Sequence, residues 1–444
     1  MFAHRNHFVH LFAHRKPNLE MMFCVSELPG QLGKSSAARQ TGQASEMNYP
    51  AGSLEISPTQ ALSRSLLVAL STAAGLSVAN SYYNQPMLSR LSSDFGLAAA
   101  TVALVPVLTQ FGNAIGVLFI APLGDRIERK LLILVTITAL VLALISAALA
   151  NSFEWLVIAS FFVGLFATVA QQLVPLSVHI APAKMKGQVL GTVTGGILIG
   201  ILLSRVLSGF VTDLWDWHIM FWVAALLMTL IGIALALMLP RVVPTTHVSY
   251  FNLIASLWSL LRTHALLRRA IVIQALIFAA FLGFWSNLAM HLAQEPFHLG
   301  SSWVGLVALV GAGGAIAAPV AGRFADRRGP EAVIALGAAM VVAAFVSFIA
   351  IQGSIAALII GVIVMDLGVQ SSQVANQARV YALDPTARSR LNTIFMATML
   401  LGGSLGAGAA GLAFSKFGWT GSCVFGALSA GTALLIALIK PSTH

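Results

Sequence analysis

Long apolar stretches alternate with short polar segments along nearly the whole chain, from about residue 62 to residue 440. Each stretch has about 20 residues, enough for a helix to cross the roughly 30 Å hydrocarbon core of a bilayer. The pattern predicts an all-α membrane protein with twelve transmembrane helices. They are expected at about 65–85, 101–123, 131–150, 154–179, 188–211, 218–239, 270–292, 302–322, 332–351, 354–378, 390–413 and 419–439.

The first 61 residues interrupt this pattern. They are rich in Ser, Gln, His and Gly, and their longest apolar run, residues 21–25, has five residues. A secretory signal needs an apolar run of about 7–15 residues. We therefore expect residues 1–61 to form a disordered cytoplasmic tail.

Composition excludes a soluble protein. Charged residues make up 9% of the chain and hydrophobic residues 58%, whereas soluble domains carry roughly 25% charged residues. The two cysteines, Cys24 and Cys423, cannot build a disulfide framework or a thiolate metal site. We expect the lipid bilayer as surroundings, with no metal, no cofactor and no enzymatic activity.

The net charge of +10 reflects the orientation of the spans rather than nucleic-acid binding. With the N-terminus inside, 22 of the 25 Lys and Arg residues lie in segments on the cytoplasmic side. Two, Arg90 and Lys416, lie on the other side, and Arg205 lies within a span. Cytoplasmic loops carry this excess because basic residues resist translocation. Both termini are therefore predicted to be cytoplasmic.

Landmarks recur at a nearly constant offset. The sequence LGDR at 123–126 matches FADR at 324–327, an offset of 201 residues, and Trp217 matches Trp419 at 202. The chain is predicted to contain two pseudo-symmetric six-helix halves, 62–239 and 270–444, joined by a cytoplasmic linker at 240–269. Parallel halves are typical of transporters, which bind substrate near the midplane between them.

Two ionisable residues, Asp366 and Arg205, lie well inside predicted spans. Charges at that depth are costly unless they face a cavity or a partner, and they mark ion or substrate paths. Asp366 is the candidate proton carrier, and Arg205 would act as its counter-charge or as a ligand for anions and hydroxyls. The alternative is a permanent Arg205–Asp366 pair with a structural role.

Uncharged polar side chains in the spans supply a candidate substrate site. Amide and phenol groups both donate and accept hydrogen bonds, which suits neutral polyhydroxy or mixed aromatic-polar substrates. The same groups also join helices in membranes, and tyrosines can lie at the membrane interface instead. The candidate substrate-binding residues are Tyr82, Tyr83, Asn84, Gln110, Asn113, Gln373 and Asn376.

The loop APLGDRIERK at 121–130 resembles the signature loop of the major facilitator superfamily, and GRFADRRG at 322–329 resembles its second copy. The resemblance covers about residues 62 to 440. In that family the loop latches the cytoplasmic helix ends in one conformation. The resemblance implies the same latch role for Asp125, Arg126, Arg129, Lys130, Asp326 and Arg327. The alternative is that these charges only set the membrane topology.

Span five, with Gly187, Gly196 and Gly200, partly resembles the glycine-rich helix of proton-coupled drug antiporters, although glycines also allow close packing. The stretches 81–86, 200–205 and 390–393 resemble bacterial inner-membrane sugar-efflux or arabinose-efflux-like permeases. Asp216-Trp217-His218 stands where these relatives commonly have Gly-Trp-Arg.

The resemblance implies a secondary active transporter in the bacterial inner membrane. It would move a small molecule by alternating access, with proton-coupled efflux of a drug or sugar as the leading hypothesis. The alternatives are a proton symporter or facilitator for import, and an inert transporter-like relic. The partners implied are a small-molecule substrate, protons and lipid, and we expect a monomer, because two halves enclose their own pathway.

Overall fold

The computed structural model describes residues 63–242, 249–311, 329–384 and 386–439, without the side chain of Asp125. The predictions for the tail 1–61 and for Asp326 and Arg327 lie outside the described residues. So does the predicted latch role of the Asp125 side chain.

The described chain is built from helices joined by turns, as the hydropathy pattern predicts. Two 3₁₀ turns, Ala121–Asp125 and Ala183–Met185, lie between longer helices. The helices are α1 (Arg64–Ala79), α2 (Leu88–Phe95), α3 (Ala99–Val102), α4 (Leu104–Phe119), α5 (Arg129–Ala148), α6 (Phe153–Phe166), α7 (Val169–Ile180), α8 (Lys186–Leu214), α9 (Trp217–Met238), α10 (Tyr250–Thr263), α11 (Ala265–Ala293), α12 (Ser301–Gly311), α13 (Pro330–Ala350), α14 (Ile355–Tyr381) and α15 (Arg388–Leu438).

Within the described residues, nine helical segments are long and apolar enough to cross a membrane. Two shorter apolar helices, α1 and α12, coincide with the first and eighth predicted spans. The 51-residue α15 contains non-helical backbone at Gly418, with φ 60° and ψ −155°, so its two arms match the last two predicted spans. Within the described residues, each predicted span therefore coincides with helical structure: the fourth with α6 and α7 together, the last two with the arms of α15, and the eighth as far as Gly311.

The first span differs from its predicted boundary. Helix α1 ends at Ala79, and residues 80–87 form a buried series of turns before α2 begins. The Asn80 Nδ2 donates to the carbonyl of Leu76 at 2.7 Å, and such local bonds compete with helical ones. Pro86 also lacks an N–H and disfavours helical backbone at the preceding residue. These residues explain why regular helix stops at Ala79, before the predicted end of the span.

Small residues let α1 and α8 pack with their backbones in contact. A Cβ on Gly200 would lie 2.2 Å from the carbonyl oxygen of Gly75, and one on Gly75 would lie 2.4 Å from that of Gly196. Around Gly187 no atom lies within 4 Å of such a Cβ in the described structure. The glycines Gly196 and Gly200 thus serve helix packing, which was the alternative explanation for them.

The bundle has two ends, which we call the basic end and the far end. The basic end contains residues 120–130, 239–242 and 386–390, and the far end contains 96–103, 215–217 and 294–301. At the basic end, the Lys130 Nζ donates to the carbonyl of Leu239 at 2.9 Å. At the far end, the ring of Phe95 lies 5.9 Å from that of Trp217.

The two tryptophans of the predicted repeat are placed alike. Trp217 begins α9 and Trp419 begins the last arm of α15, and both are buried. Each indole stacks on a histidine ring: Trp217 on His218 with centroids 3.5 Å apart, and Trp419 on His291 with centroids 4.0 Å apart. Both contacts lie at the far end of the bundle.

Candidate functional site

The buried turn at 80–87 is held in place by α4. The Gln110 Nε2 donates to the carbonyl of Ser81 at 3.1 Å, and the Asn113 Nδ2 donates to the Ser81 Oγ at 3.0 Å. The Asn84 Nδ2 donates to the Thr109 Oγ1 at 2.8 Å. Three predicted substrate-binding amides therefore hold the turn against α4. Other residues of the same turn contact α8.

Arg205 of α8 lies beside this turn and is only 4% exposed. Its Nε donates to the Gln85 Oε1 at 2.8 Å. Its Cζ lies 4.1 Å from the ring centroid of Trp285, 5.1 Å from that of Tyr82 and 5.9 Å from that of Phe281. We call these five residues the Arg205 cluster. The turn and α8 belong to the predicted first half, whereas Trp285 and Phe281, both on α11, belong to the second.

Several polar atoms around the cluster have no hydrogen-bond partner in the described structure. The donors are the Arg205 Nη2, the Gln85 Nε2 and the Trp285 Nε1. The acceptors Asn84 Oδ1, Gln110 Oε1 and Asn113 Oδ1 are also buried and unpaired. Buried polar groups in proteins are nearly always hydrogen-bonded. Such a concentration of unpaired groups at one level of the bundle is typical of a binding site.

Asp366 lies on α14, next to the end of α12. A Cβ on Gly311 would lie 2.5 Å from the Asp366 Oδ2, so the carboxylate occupies the space left by this glycine. The Oδ1 is buried without a partner. The charges of Asp366 and Arg205 attract each other, but among the ion pairs of the described residues none joins them. The permanent pair considered above is thus not formed in this structure.

The predicted substrate-binding residues fall into two groups. Tyr82 belongs to the Arg205 cluster, and Tyr83, Asn84, Gln110 and Asn113 lie in or against the same turn.

Asn376 lies elsewhere: its Nδ2 donates to the carbonyl of Ala270 at 2.7 Å, and its Oδ1 accepts from Arg379 at 3.0 Å. Ala270 and Trp285 are 15 residues apart on α11, which is about 22 Å along the helix axis. Gln373 is three residues before Asn376 on α14. The structure therefore places Asn376 away from the Arg205 cluster, and no hydrogen bond of the described residues joins Gln373 to it.

The latch residues that the structure describes lie at the basic end. Arg126 is exposed, the Arg129 Nε donates to the carbonyl of Gly124 at 3.2 Å, and Lys130 binds the end of α9. A small recess, with about 70 Å³ of space for water-sized molecules and partly open to solvent, lies between this loop and the start of α15. Arg129 lines one side of the recess and Arg390 the other.

At the far end, helices of the two predicted halves pack closely. The Asp213 carboxylate at the end of α8 accepts from the backbone N–H groups of Ser301 and Ser302 at the start of α12. The Ser404 Oγ of α15 donates to the carbonyl of Val107 in α4 at 2.9 Å. These contacts close the far end, while the recess lies at the basic end.

Sequence reasoning missed four residues of this arrangement: Phe281, Trp285, Gly311 and Asp213. An aromatic residue in an apolar helix looks the same in sequence whether it packs in the core or against a cation. Asp213 lies near the end of a predicted span, where a charge is unremarkable. The one usable signal was Gln85, which is polar and stands beside the predicted substrate residues Tyr83 and Asn84.

Comparisons of sequence and of structure with known proteins both find transporters. The model of the Major Facilitator Superfamily matches residues 70–380 and 277–444. The chain is 36% identical over 380 residues to the uncharacterized transporter YgaY of Escherichia coli O157:H7, covering 85% of this chain and 96% of that protein.

It is 30% identical over 369 residues to the probable transporter SCO4007 of Streptomyces coelicolor, covering 82% and 85% of the two chains. Among solved structures, a mutant form of the nucleoside transporter NupG superposes with a TM-score of 0.67 at 14% identity. That match covers 84% of this chain and 98% of the other, and it shows a shared fold.

Proposed function

The chain belongs to the Major Facilitator Superfamily and is a membrane transporter of that type, and from this premise we propose that it exports a small molecule in exchange for protons. Transport proceeds by alternating access, in which the two predicted halves rock about a central site. The competing proposal is import by symport or facilitation.

The observation that carries proton coupling is the unpaired carboxylate of Asp366. It lies inside α14 with its Oδ1 buried and without a hydrogen-bond partner in the described structure. An acid held in a permanent ion pair would stay ionised, whereas an acid without such a partner can change its protonation state as its surroundings open and close. Arg205 stays charged throughout. Because it forms no ion pair with Asp366, it attracts the carboxylate without holding it permanently ionised.

Alternating access is supported by the contrast between the two ends of the bundle. The far end is closed by contacts between the predicted halves, such as Asp213 with Ser301. At the basic end, a recess separates the loop carrying Arg129 from the start of α15, which carries Arg390. The basic loops are the predicted cytoplasmic side, so the end that these contacts close is the predicted outer one. The loop at 121–130 acts as a latch when the basic end closes.

Efflux and location rest on the sequence. The stretches 81–86, 200–205 and 390–393 resemble bacterial inner-membrane sugar-efflux or arabinose-efflux-like permeases, and the glycines of span five partly resemble those of proton-coupled drug antiporters. The distribution of Lys and Arg orients both termini toward the cytoplasm. We accordingly place the protein as a monomeric exporter in the inner membrane.

The test is proton movement in everted vesicles with an acid interior. We expect an added substrate to alkalinise the interior of vesicles containing the wild type. Asp366→Asn should abolish this response at unchanged protein level, while Asp94→Asn, at an exposed far-end residue, should leave it intact. Unchanged coupling in Asp366→Asn would end the proposal for this residue. Substrate counterflow without proton movement would identify a facilitator.

A further inference from the structure

Arg205 is a buried cation whose hydrogen-bond partner carries no charge. Its Nε is bound by the amide oxygen of Gln85, and its Nη2 has no partner in the described structure. The acid whose charge it senses, Asp366, is not within the 4.0 Å of an ion pair. A buried guanidinium without a carboxylate is costly, because its charge has lost water and gained no counter-ion. Such a group is suited to receive an anion from a ligand.

The groups beside Arg205 are also hydrogen-bond donors. A guanidinium can only donate, so its bond to Gln85 fixes the amide oxygen toward Arg205 and leaves the Gln85 Nε2 as a donor. The Trp285 Nε1 is a donor as well, and both atoms are buried and unpaired. Three donor groups on adjacent side chains therefore have no hydrogen-bond acceptor in the described structure. A ligand oxyanion supplies several acceptors and a balancing charge in one group.

The rest of the cluster is aromatic. The rings of Trp285, Tyr82 and Phe281 lie within 6 Å of the guanidinium carbon. The rings leave the Arg205 Nη2 without a hydrogen-bond acceptor in the described structure, and a planar carboxylate matches the planar edge of a guanidinium. The rings also provide apolar walls for the body of the ligand. The side chains come from both predicted halves. The cluster therefore lies between the halves, where transporters of this architecture bind their substrate.

From these contacts we propose that the Arg205 cluster binds the carboxylate of an organic anion with an aromatic or other apolar body. This assignment rests on the proposed transport function and names its substrate class. The Arg205 Nη2 and the Gln85 Nε2 donate to the carboxylate, and the Trp285 Nε1 is the third donor. Neutral polyhydroxy compounds, which the sequence alone favoured, bind this cluster less well, and so do cationic drugs.

The test is direct binding to the full chain in nanodiscs, measured by calorimetry without any gradient. The probes share one ring system and differ in charge: indole-3-acetate, indole-3-acetamide and tryptamine. We expect the acid to bind at least tenfold more tightly than the amide and the amine. Phenyl phosphate, as a tetrahedral oxyanion, should bind less well than the acid.

The decisive variant is Gln85→Glu, which keeps the shape of the side chain and places a carboxylate on Arg205. We expect the variant to remain folded and to lose the preference for the acid. Trp285→Phe, which keeps a ring and removes the donor, should weaken acid binding several-fold and leave amide binding unchanged. Arg205→Lys should keep part of the preference, and Arg205→Gln none of it.

Equal binding of acid and amide by the wild type would overturn the proposal, as would tight acid binding in Gln85→Glu. Tighter binding of the amine or of phenyl phosphate, or binding of none of the probes, would overturn it as well. The assay needs no flux, so its failure is distinct from a failure of proton antiport. An acid preference without proton-coupled flux would support the carboxylate site and overturn the proposed proton antiport. Proton-coupled flux of neutral compounds without an acid preference would support the antiport and overturn the carboxylate site.

Discussion

Asp213 binds the start of α12 through the backbone of Ser301: its Oδ1 accepts from the Ser301 N–H at 2.8 Å. The Oδ2 accepts from the next N–H, that of Ser302, at 2.7 Å. The first N–H groups of a helix lack partners within the helix and carry partial positive charge, so a carboxylate suits them. Here the carboxylate belongs to another helix, and the two helices lie in different predicted halves. The contact therefore stabilises a closed far end.

Asp213→Ala is expected to shift the protein toward the state open at the far end. Asp213 is exposed, so water weakens its hydrogen bonds to about 0.5–1.5 kcal/mol, and the ratio of open to closed states should rise roughly two- to tenfold. Asp213→Asn keeps an acceptor but loses the charge, and its shift should be smaller.

The shift is measurable as a distance between spin labels at the far end. Exposed positions Asn151 and Gln294 accept cysteines, after replacement of Cys24 and Cys423. We expect a longer-distance population that grows from wild type through Asp213→Asn to Asp213→Ala. Identical distance distributions in all three proteins would show that the contact does not control the far end.

Gly200→Ala should destabilise the protein, because the new Cβ would lie 2.2 Å from the carbonyl oxygen of Gly75. Overpacking of this kind costs about 1–3 kcal/mol. Gly187→Ala on the same helix is the matched control, since its Cβ meets no atom within 4 Å in the described structure and alanine favours helix by up to about 1 kcal/mol. We expect a lower thermal unfolding midpoint for Gly200→Ala alone. Equal midpoints would argue against close packing of α1 and α8.

The helices were predictable because a bilayer demands long apolar segments, and the described residues of the twelve predicted spans are mainly helical. The break at 80–87 was not predicted. Hydropathy averages over a window, so it does not register that the Asn80 side chain bonds the carbonyls of Leu76 and Ser77, or that Pro86 disfavours helical backbone just before it. A change of backbone within an apolar run depends on individual side chains.

The candidate site was predictable in part. Arg205 and Asp366 stood out because charges within spans are rare. Trp285 did not stand out, since its role depends on a contact between distant segments. Asn376 shows the opposite error, because it is polar and within a span but does not face the site. Its amide nitrogen binds the backbone of Ala270 on α11, and its amide oxygen binds Arg379 of its own helix.

Gly311→Ala should impair proton coupling without removing any ionisable group. The added Cβ would lie 2.5 Å from the Asp366 Oδ2, so the carboxylate must turn away. We expect at least tenfold less substrate-driven proton movement in everted vesicles, at unchanged protein level. Gly431→Ala, where a Cβ has no described neighbour within 4 Å, should behave as wild type. Full coupling in Gly311→Ala would mean that the orientation of Asp366 beside α12 is unimportant.

Asp216 caps α9 and gives the far end a dependence on acid pH. The His218 backbone N–H donates to the Asp216 Oδ1 at 2.8 Å, and the His218 ring contacts the same oxygen and the carbonyl of Ala150. Burial alone would raise the pKa of Asp216, but the hydrogen bonds from His218 outweigh it and hold the pKa below its ordinary value of 3.8. The His218 side chain thus joins the start of α9 to the end of α5.

A lowered pKa means that folding favours the charged carboxylate. Its contribution is present above the pKa of the unfolded chain, about 3.9, and is lost as pH falls through the folded value. Asp216→Asn should therefore lower the unfolding midpoint at pH 7, and the deficit should shrink below about pH 4. The side chain is 40% exposed, so screening by solvent limits the effect to less than about 1 kcal/mol. Asparagine also caps helices well, so the substitution reports mainly on charge. Thermal unfolding from pH 7 to pH 3 measures the difference, and a deficit that is constant across this range would contradict a role for the ionised carboxylate.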